Sequence, residues 1–240
     1  MPIIKTIRRI MLDHAKHRAA LIGILKDVYS DPFLRTLLGF KGGTAAMLFY
    51  DLPRISVDLD FNVLDEQKKQ LIFEKVKAIL PDHGTIREAT EKRYTLFFLI
   101  SYEKGQHTIK IEISKRKGTG EFHMKQYLGV SVLVMKESDM AAGKLAALVT
   151  RRVFAMRDVF DIWFFLKQQW TINESVLKDQ ADLSLPQAID RAIDLIRAIT
   201  PNELLRGLGE LLDPKQKSWA KDHLIEDTIF HLRLYKESTT

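Results

Sequence analysis

The segment Val57–Leu64 constrains the fold more than any other, because it alternates apolar residues with two aspartates. Asp58 and Asp60 are separated by Leu59, and the flanking positions are also apolar. Successive side chains of a β-strand point to opposite faces, so this spacing predicts a strand that carries both carboxylates on one face. Two neighbouring carboxylates repel each other unless a positive charge lies between them. The strand therefore predicts a site that attracts cations.

Oxygen is the ligand type that this strand offers. No histidine lies beside the two aspartates, and the 240-residue chain contains no cysteine. Carboxylate oxygens suit Mg²⁺ or Mn²⁺, whereas zinc prefers nitrogen and sulfur ligands. A third carboxylate is Glu112, which shares one face of the alternating run His107–Ser114 with Lys110. The structural alternative for Glu112 is an ordinary strand face that is exposed to water.

A double glycine precedes the aspartate strand. It lies between a predicted strand, Thr36–Phe40, and a predicted short helix, Thr44–Tyr50. Backbone N–H groups and the positive dipole at the start of a helix bind phosphate, and glycine allows a close approach. The alternative is a tight turn without a ligand, because short glycine motifs occur often by chance. The residues of this predicted phosphate site are Lys41, Gly42, Gly43 and Thr44.

A phosphate site followed by paired carboxylates is the equipment of metal-assisted phosphoryl transfer. In such reactions one divalent ion activates the attacking oxygen, and a second stabilises the leaving pyrophosphate. The sequence thus predicts a nucleoside triphosphate as substrate and Asp58, Asp60 and Glu112 as catalytic metal ligands.

The predicted elements divide the chain into two halves. Residues 1–135 combine a helix within residues 4–28, a helix over Asp65–Leu80, and strands that start at Tyr94 and His107 and are joined by a turn at Gly105. From about residue 137, helical periods replace strand alternation. The predicted helices there are Ser138–Gln168, Asn173–Leu177, Pro186–Ile199, Asn202–Leu212 and Lys215–Tyr235. We therefore predict an α+β fold: a mixed sheet flanked by helices in residues 1–135, then a helical domain in residues 136–240 that contributes to the active-site cleft.

The charge and composition indicate partners and location. The chain carries 37 Lys and Arg against 31 Asp and Glu, a net charge of +6. Such an excess attracts polyanions, of which nucleic acids and nucleotides are the usual examples. No apolar run is long enough for a signal peptide or a membrane span, which predicts no membrane partner. The lack of cysteine fits a reducing compartment, so we predict a cytoplasmic protein.

The predicted helix Ser138–Gln168 has a polar face. On a continuous helix, Lys144, Arg151 and Asp158 lie within about 40° of one another. The structural alternative is a solvated face with surface ion pairs, such as Arg157 with Asp161 four residues later.

These motifs resemble the nucleotidyltransferase superfamily typified by DNA polymerase beta. Its pattern is Gly-Gly or Gly-Ser, a spacer, and Asp-x-Asp between apolar residues. More closely, the stretch "FKGGTAAMLFYDLPRISVDLDF" is similar to the AbiEii/AbiGii-type toxin branch, in which Lys-Gly-Gly-Thr and Arg-x-Ser precede Asp-x-Asp-Phe. The matching residues are Lys41 to Thr44, Arg54, Ser56 and Asp58 to Phe61.

The resemblance implies nucleotide-binding roles outside the two main motifs. It implies that Lys144 neutralises triphosphate charge, from a helix that ends in a basic-Asp-x-x-Asp element. Asp158 and Asp161 of that element either orient basic groups or bind the nucleotide. Arg54 and Ser56 lie just before the aspartate strand, where Arg54 either meets a phosphate or the acceptor, or pairs with a nearby acid. Glu112 stands where the branch often has Asp, and both side chains bind metal.

For function, the resemblance implies transfer of NMP from an NTP to an acceptor hydroxyl, with release of pyrophosphate. It implies a growth-inhibiting toxin or phage-defence component, with RNA, tRNA included, as acceptor and a separately encoded antitoxin as partner. Two alternatives stay open: a non-catalytic nucleotide-binding regulatory or interaction protein, and a nucleotidyltransferase that acts on a small molecule.

Overall fold

A seven-stranded mixed sheet and nine α-helices form the described part of the protein. The structure is a computed structural model that describes residues 13–103, 108–116, 118 and 120–239. The strands are β1 (Leu38–Lys41), β2 (Asp58–Val63), β3 (Thr85–Glu91), β4 (Thr95–Ser101), β5 (Ile109–Ser114), β6 (Phe122–Tyr127) and β7 (Val130–Met135). The helices are α1 (His14–Ser30), α2 (Leu34–Leu37), α3 (Gly42–Phe49), α4 (Lys69–Ile79), α5 (Glu137–Thr150), α6 (Met156–Lys167), α7 (Glu174–Ala181), α8 (Leu185–Arg197) and α9 (Pro214–Thr239). None of these described helices combines the length and apolar character that a membrane crossing requires.

The aspartate strand β2 lies at the centre of the sheet. The strand order is β3-β4-β5-β2-β1-β7-β6, with β2 antiparallel to β1 and parallel to β5. The register pairs Asp60 with Lys41 on one side and with Glu112 on the other. Directly opposite residues of neighbouring strands point to the same face, so these three side chains form one row.

The opposite face of the sheet is the hydrophobic core. Leu59 and Phe61 of β2 are fully buried there. Phe73 of α4 stacks on Phe98 of β4 with ring centroids 4.9 Å apart, and the hydroxyl of Tyr29 in α1 donates to the Leu38 carbonyl. Alternation along β2 therefore separates an apolar face, which stabilises the fold, from a polar face, which is free for chemistry.

Most of the predicted elements are confirmed, with shifted ends. Strands β2, β4 and β5 and helices α4, α7, α8 and α9 lie where the patterns predict them. The predicted strand Thr36–Phe40 is instead helix α2 followed by β1, and the short helix begins at Gly42 rather than at Thr44. The predicted turn at Gly105 and residues 4–12 of the first predicted helix lie outside the described residues.

Two helix predictions are wrong. Ser138–Gln168 is not one helix, because α5 ends at Thr150 and α6 begins at Met156. Asn202–Leu212 is mostly turns, with one short 3₁₀-helix at Gly209–Leu211. Both segments show an apolar helical pattern in the sequence, but the chain does not form a continuous helix over either one.

Strands β3, β6 and β7 were not predicted. β3 reads Thr-Ile-Arg-Glu-Ala-Thr-Glu, which contains few apolar residues because it is an edge strand. β6 and β7 form a hairpin whose two loop residues, Leu128 and Gly129, both have positive φ, at 46° and 86°. Two positive φ values in a two-residue loop are typical of a type I′ turn.

The chain changes from strands to helices near residue 135, where the sequence predicts this change. β7 ends at Met135 and α5 begins at Glu137. One hydrophobic cluster contains buried residues from both sides of this point, and the Tyr50 ring packs edge-on against Trp170 at 5.2 Å. The division of the chain into two domains at residue 135 stays a prediction.

The β6–β7 turn generates a stability prediction. Leu128 is exposed and lies in the left-handed region, which costs a branched side chain about 1 kcal/mol. We expect Leu128→Asn to raise the free energy of unfolding by about 0.5–1 kcal/mol, because asparagine tolerates this conformation. Urea unfolding of the full chain measures the change.

Gly129→Ala is the matched control. A Cβ at Gly129 would meet no atom within 4 Å, so its effect reports backbone strain alone. We expect a loss of stability of about 1 kcal/mol. Equal stabilities of wild type and both variants would contradict the assignment of a type I′ turn.

Candidate active site

The double glycine packs directly against the aspartate strand. Gly42 has φ of 77°, and a Cβ there would lie 2.5 Å from Oδ2 of Asp60. A Cβ at Gly43 would lie 2.8 Å from Nη2 of Arg54 and 2.9 Å from Oγ of Ser56. Neither position has room for a side chain, and Gly42 adopts a conformation that favours glycine. The glycines therefore bring the first turn of α3 against Asp60, with Arg54 and Ser56 behind it.

The first turn of α3 has free N–H groups. Lys41 at its N-cap makes no side-chain hydrogen bond to the helix. The first N–H groups of a helix have no partner within the helix, and together with the helix dipole they attract anions. The role of this helix start as a phosphate site stays a prediction.

Thr44 and Ser56 lie beneath this turn, and both are buried. The Thr44 hydroxyl donates a hydrogen bond to the main-chain carbonyl of Asp58. This contact ties α3 to β2, so the Thr44 side chain fixes the distance between the turn and the carboxylates. Its backbone N–H remains part of the first helical turn.

The carboxylates of the polar face are surrounded by lysines. Nζ of Lys110 lies 3.2 Å from Oδ2 of Asp58. Burial and the neighbouring charge of Asp58 raise the pKa of Asp60, while Lys41 and Lys144 oppose this shift. Glu112 adds to the repulsion at Asp60, which it faces across the β2–β5 pair. The lysines around Asp58, Asp60 and Glu112 therefore balance the negative charge of these carboxylates only in part.

Behind the glycine turn lies a buried ion pair that joins the two halves of the chain. Nε and Nη2 of Arg54 bond to the two carboxylate oxygens of Asp161 at 2.5 and 2.7 Å. Nζ of Lys144 lies 2.8 Å from Asp161, and both partners of the Arg54 pair are fully buried. Burial opposes ionisation of Asp161, but Arg54 and Lys144 hold its pKa below the ordinary value. The carboxyl of Asp161 is therefore an anion.

The break between α5 and α6 makes a second group of contacts. Nζ of Lys144 lies 2.9 Å from Oδ1 of Asp158, and Nη1 of Arg151 lies 2.7 Å from Oδ2. On a continuous helix Lys144 and Asp158 would be about 21 Å apart along the axis, since each residue rises 1.5 Å. Arg151 has extended backbone angles, which end α5 and let α6 turn back. The prediction of one polar face on a continuous helix is therefore wrong: the three side chains meet because the helix is broken.

Two connected cavities open on the polar face of the sheet. The smaller, of about 210 Å³, is lined by Gly42, Asp60 and Lys144 among others. The larger, of about 800 Å³, continues from it past Lys41 and Arg151, which line both. The first turn of α3, the half-buried carboxylate of Asp60 and Lys144 of α5 thus share the smaller cavity.

A family match decides the identity of this arrangement. Residues 23–223 match the profile of a family described as nucleotidyl transferase AbiEii toxin, type IV toxin–antitoxin system. The chain belongs to the AbiEii family. It is therefore classified as a nucleotidyltransferase, as its motifs predict.

Two solved structures share the AbiEii-family fold. One is a Helicobacter pylori protein proposed to be a nucleotidyltransferase, with a TM-score of 0.60, 22% identity, and coverage of 93% of this chain and 95% of that one. The other is JHP933 from Helicobacter pylori, with a TM-score of 0.57, 20% identity, and coverage of 96% and 98%. These likenesses confirm the α+β fold class over nearly the whole chain. A comparison with curated proteins found no match.

The AbiEii-family fold brings the predicted site residues together in two layers. The layer that faces the cavities holds the first turn of α3, Asp60 and Lys144. The layer behind it holds Arg54, Ser56 and Asp161, whose side chains are buried. Arg54 pairs with Asp161 and not with the surface residue Asp51. The specific roles assigned to each residue stay predictions.

The donor chemistry of β2 fits a divalent ion. Two carboxylates on one face of a strand supply hard oxygen ligands, and burial together with the charge of Asp58 raises the pKa of Asp60. Among the described residues, however, no three His, Cys, Asp or Glu side chains are grouped as metal ligands. Instead of a third acidic ligand, the ammonium group of Lys110 lies against Asp58. Asp58 and Asp60 are the pair that would hold a metal, and Glu112 is their nearest neighbour in the ladder.

Three residues of the site were missed by sequence reasoning. Lys110 pairs with Asp58 in the β2–β5 register, and its alternation with Glu112 was the available signal. Arg151 lines both cavities, and the sequence places it on the predicted polar helix face but indicates no functional role for it. Gln180 of α7 lines both cavities as well, and no local pattern marks it.

The buried ion pair generates a stability prediction for this AbiEii-family protein. Arg54→Met leaves Asp161 buried with Lys144 as its remaining partner, so we expect a loss of about 3–5 kcal/mol of unfolding free energy. The double variant Arg54→Met/Asp161→Leu removes both charges, and we expect it to recover part of that loss. Denaturant unfolding at neutral pH measures all three proteins.

The exposed Arg152→Met is the matched control for this series. We expect a change within about 0.5 kcal/mol for it. An Arg54→Met variant that loses less than about 1 kcal/mol would show that the pair behaves as a surface ion pair.

The carboxylate repulsion generates a prediction of pH dependence. An acid whose pKa is raised by folding binds protons more tightly in the native state, so the folded protein loses stability as pH rises above the ordinary aspartate range. We expect Asp60→Asn, measured with a chelator present, to be more stable than wild type by about 0.5–2 kcal/mol at neutral pH. The difference should shrink in acid, where Asp60 is neutral in both states.

Thermal unfolding across a pH series measures this difference. The exposed Asp222→Asn, on α9, is the matched control and should track wild type at every pH. A wild type that is more stable than Asp60→Asn at neutral pH would refute the repulsion argument.

Proposed function

We propose that this AbiEii-family protein transfers NMP from an NTP to an acceptor hydroxyl with the help of Mg²⁺ or Mn²⁺, and releases pyrophosphate. The observation that supports this most is the contact between Gly42 and Asp60. The helix start that would hold phosphate lies against the half-buried side chain of Asp60, whose Oδ2 would be 2.5 Å from a Cβ at Gly42. Phosphate and carboxylate are both anions, so a site built for both requires cations.

Each residue contributes positioning or charge to this reaction. The N–H groups at the start of α3 would hold the phosphates, because they point from an uncapped helix end. Lys144 would face the triphosphate from α5; burial opposes its charge, yet Asp161 and Asp158 hold its pKa above the ordinary value. A divalent ion bound by Asp58 and Asp60 supplies Lewis-acid stabilisation of the phosphate charge.

The acceptor oxygen needs a group that takes its proton. Glu112 is placed for this role in the proposal, since it lies opposite Asp60 on the same face of the sheet. A carboxylate within reach of the acceptor hydroxyl could accept its proton, and Glu112 could alternatively help Asp58 and Asp60 to hold the ion. Lys110 would leave Asp58 when a divalent ion binds, because both compete for the same oxygen.

For the biological role, we propose a toxin whose acceptor is RNA, tRNA included, and whose activity a separately encoded antitoxin controls. The family description names a type IV toxin–antitoxin system. The net charge of +6 supports a polyanionic acceptor. A small-molecule acceptor would need neither this charge nor the larger of the two cavities.

The test is incorporation of each labelled NTP into total cellular RNA, with and without Mg²⁺. We expect Asp58→Asn and Asp60→Asn each to lower the rate by at least about 10³-fold, because each removes charge that balances the metal–phosphate complex. The exposed Glu74→Gln on α4 is the matched control and should retain the wild-type rate.

A second readout does not depend on turnover. Mg²⁺ should raise the midpoint of thermal unfolding of wild type, because a ligand stabilises the state that binds it. It should have no such effect on Asp58→Asn or Asp60→Asn. Full transfer activity in either variant would refute the mechanism. NTP binding without transfer to RNA or to small molecules would instead favour the non-catalytic alternative.

A further inference from the structure

The larger cavity has the charge of a nucleic-acid site. Its described lining includes six basic residues, Lys41, Lys69, Arg93, Lys115, Arg116 and Arg151. Among the described lining residues, only Glu66 and Asp179 are acidic. Glu91 pairs with Lys69 at 3.2 Å and with Lys115 at 2.6 Å, so these two lysines are partly neutralised. Arg151 pairs with Asp158 at 2.7 Å, so the remaining positive charge lies on Arg93, Arg116 and Lys41.

The ring of Tyr94 contacts two of these arginines. The side chain of Tyr94 is 44% exposed and lines the cavity. The guanidinium groups of Arg93 and Arg116 each lie over its ring, 4.8 Å from the centroid. Within the described part of the chain, neither arginine makes an ion pair. We call Tyr94 with Arg93 and Arg116 the tyrosine platform.

The sheet fixes the platform near the carboxylates. The backbone N–H of Lys115 donates to the Tyr94 carbonyl, which continues the β4–β5 ladder by one pair. Lys115 is three residues beyond Glu112, so the platform lies about 10 Å along the strand from the Asp60–Glu112 row. The platform lines the large cavity and Asp60 lines the smaller one, and the two cavities share Lys41 and Arg151 in their linings.

We propose that the tyrosine platform binds an unpaired strand of the acceptor RNA, with one base stacked on the platform and its phosphates on Arg93 and Arg116. The bound RNA strand would continue through the cavity, so that its terminal hydroxyl lies near Asp58 and Asp60. Aromatic rings and guanidinium planes both stack on unpaired bases, whereas a base inside a duplex has no free face. The placement of the strand's end rests on the proposed function, but binding of the strand does not.

The direct test is fluorescence anisotropy of a short labelled single-stranded RNA with the full chain. We expect Tyr94→Ala to weaken binding about ten-fold, because it removes one stacking interaction. Tyr94→Phe keeps the ring and should bind like wild type. Phe230→Ala is the matched control, since Phe230 is exposed, lies on α9 and lines neither cavity.

A second test separates phosphate contact from stacking. Arg116→Gln should reduce the slope of log affinity against log salt by about 0.7, the value for one phosphate contact with a single strand. Arg35→Gln, at an exposed position of α2, is the matched control and should leave the slope unchanged. Wild-type binding by both Tyr94→Ala and Arg116→Gln would overturn the proposal, as would a duplex that binds as tightly as the single strand.

Kinetics distinguish this inference from the proposed function. In the transfer assay, Tyr94→Ala should raise KM for RNA and leave KM for the NTP unchanged. A raised KM for the NTP alone would overturn the inference, because the platform would then hold the nucleotide. If wild type transfers nothing, the proposed function fails, while the anisotropy measurements still decide whether the platform binds a single strand.

Discussion

The contact of Arg54 with Asp161 holds the site in one arrangement. Arg54 lies in the loop before β2, and Asp161 lies in α6, so their bidentate ion pair links the sheet to the helical half. The same guanidinium lies behind Gly43, where a side chain would not fit. The glycine turn therefore depends on the buried ion pair that lies behind it. Such a pair is costly to break, because one partner would remain as an uncompensated buried charge.

On the polar face of the sheet, in front of this ion pair, neighbouring carboxylates repel one another. Asp58, Asp60 and Glu112 share one face, and the lysines around them balance their charge only in part. Active sites commonly keep such groups at a cost in stability, since ligand binding later satisfies them. The hydrophobic face of the same strand offsets the cost, because Leu59 and Phe61 are fully buried.

The aspartate strand and the glycine turn could be predicted from sequence because both follow local rules. Alternation places Asp58 and Asp60 on one face, and the need for glycine follows from backbone geometry. The edge strand β3 was missed because it lacks an apolar alternation, and the β6–β7 turn because Leu-Gly is an unusual pair for its conformation. The partner of Arg54 could not be predicted, since it lies 107 residues away in the chain. Local patterns thus identify the residues of the site, while long-range charge pairs decide how they meet.

The break between α5 and α6 has a consequence for the order of folding. The segment 151–155 continues a helical pattern, yet it is unwound, and Val153 within it is 76% exposed. Local preference and distant electrostatics therefore disagree there, and the electrostatic contacts prevail once Lys144 and Arg54 have reached α6. Contacts between distant parts of a chain form slowly, so we expect this segment to reach its native shape late.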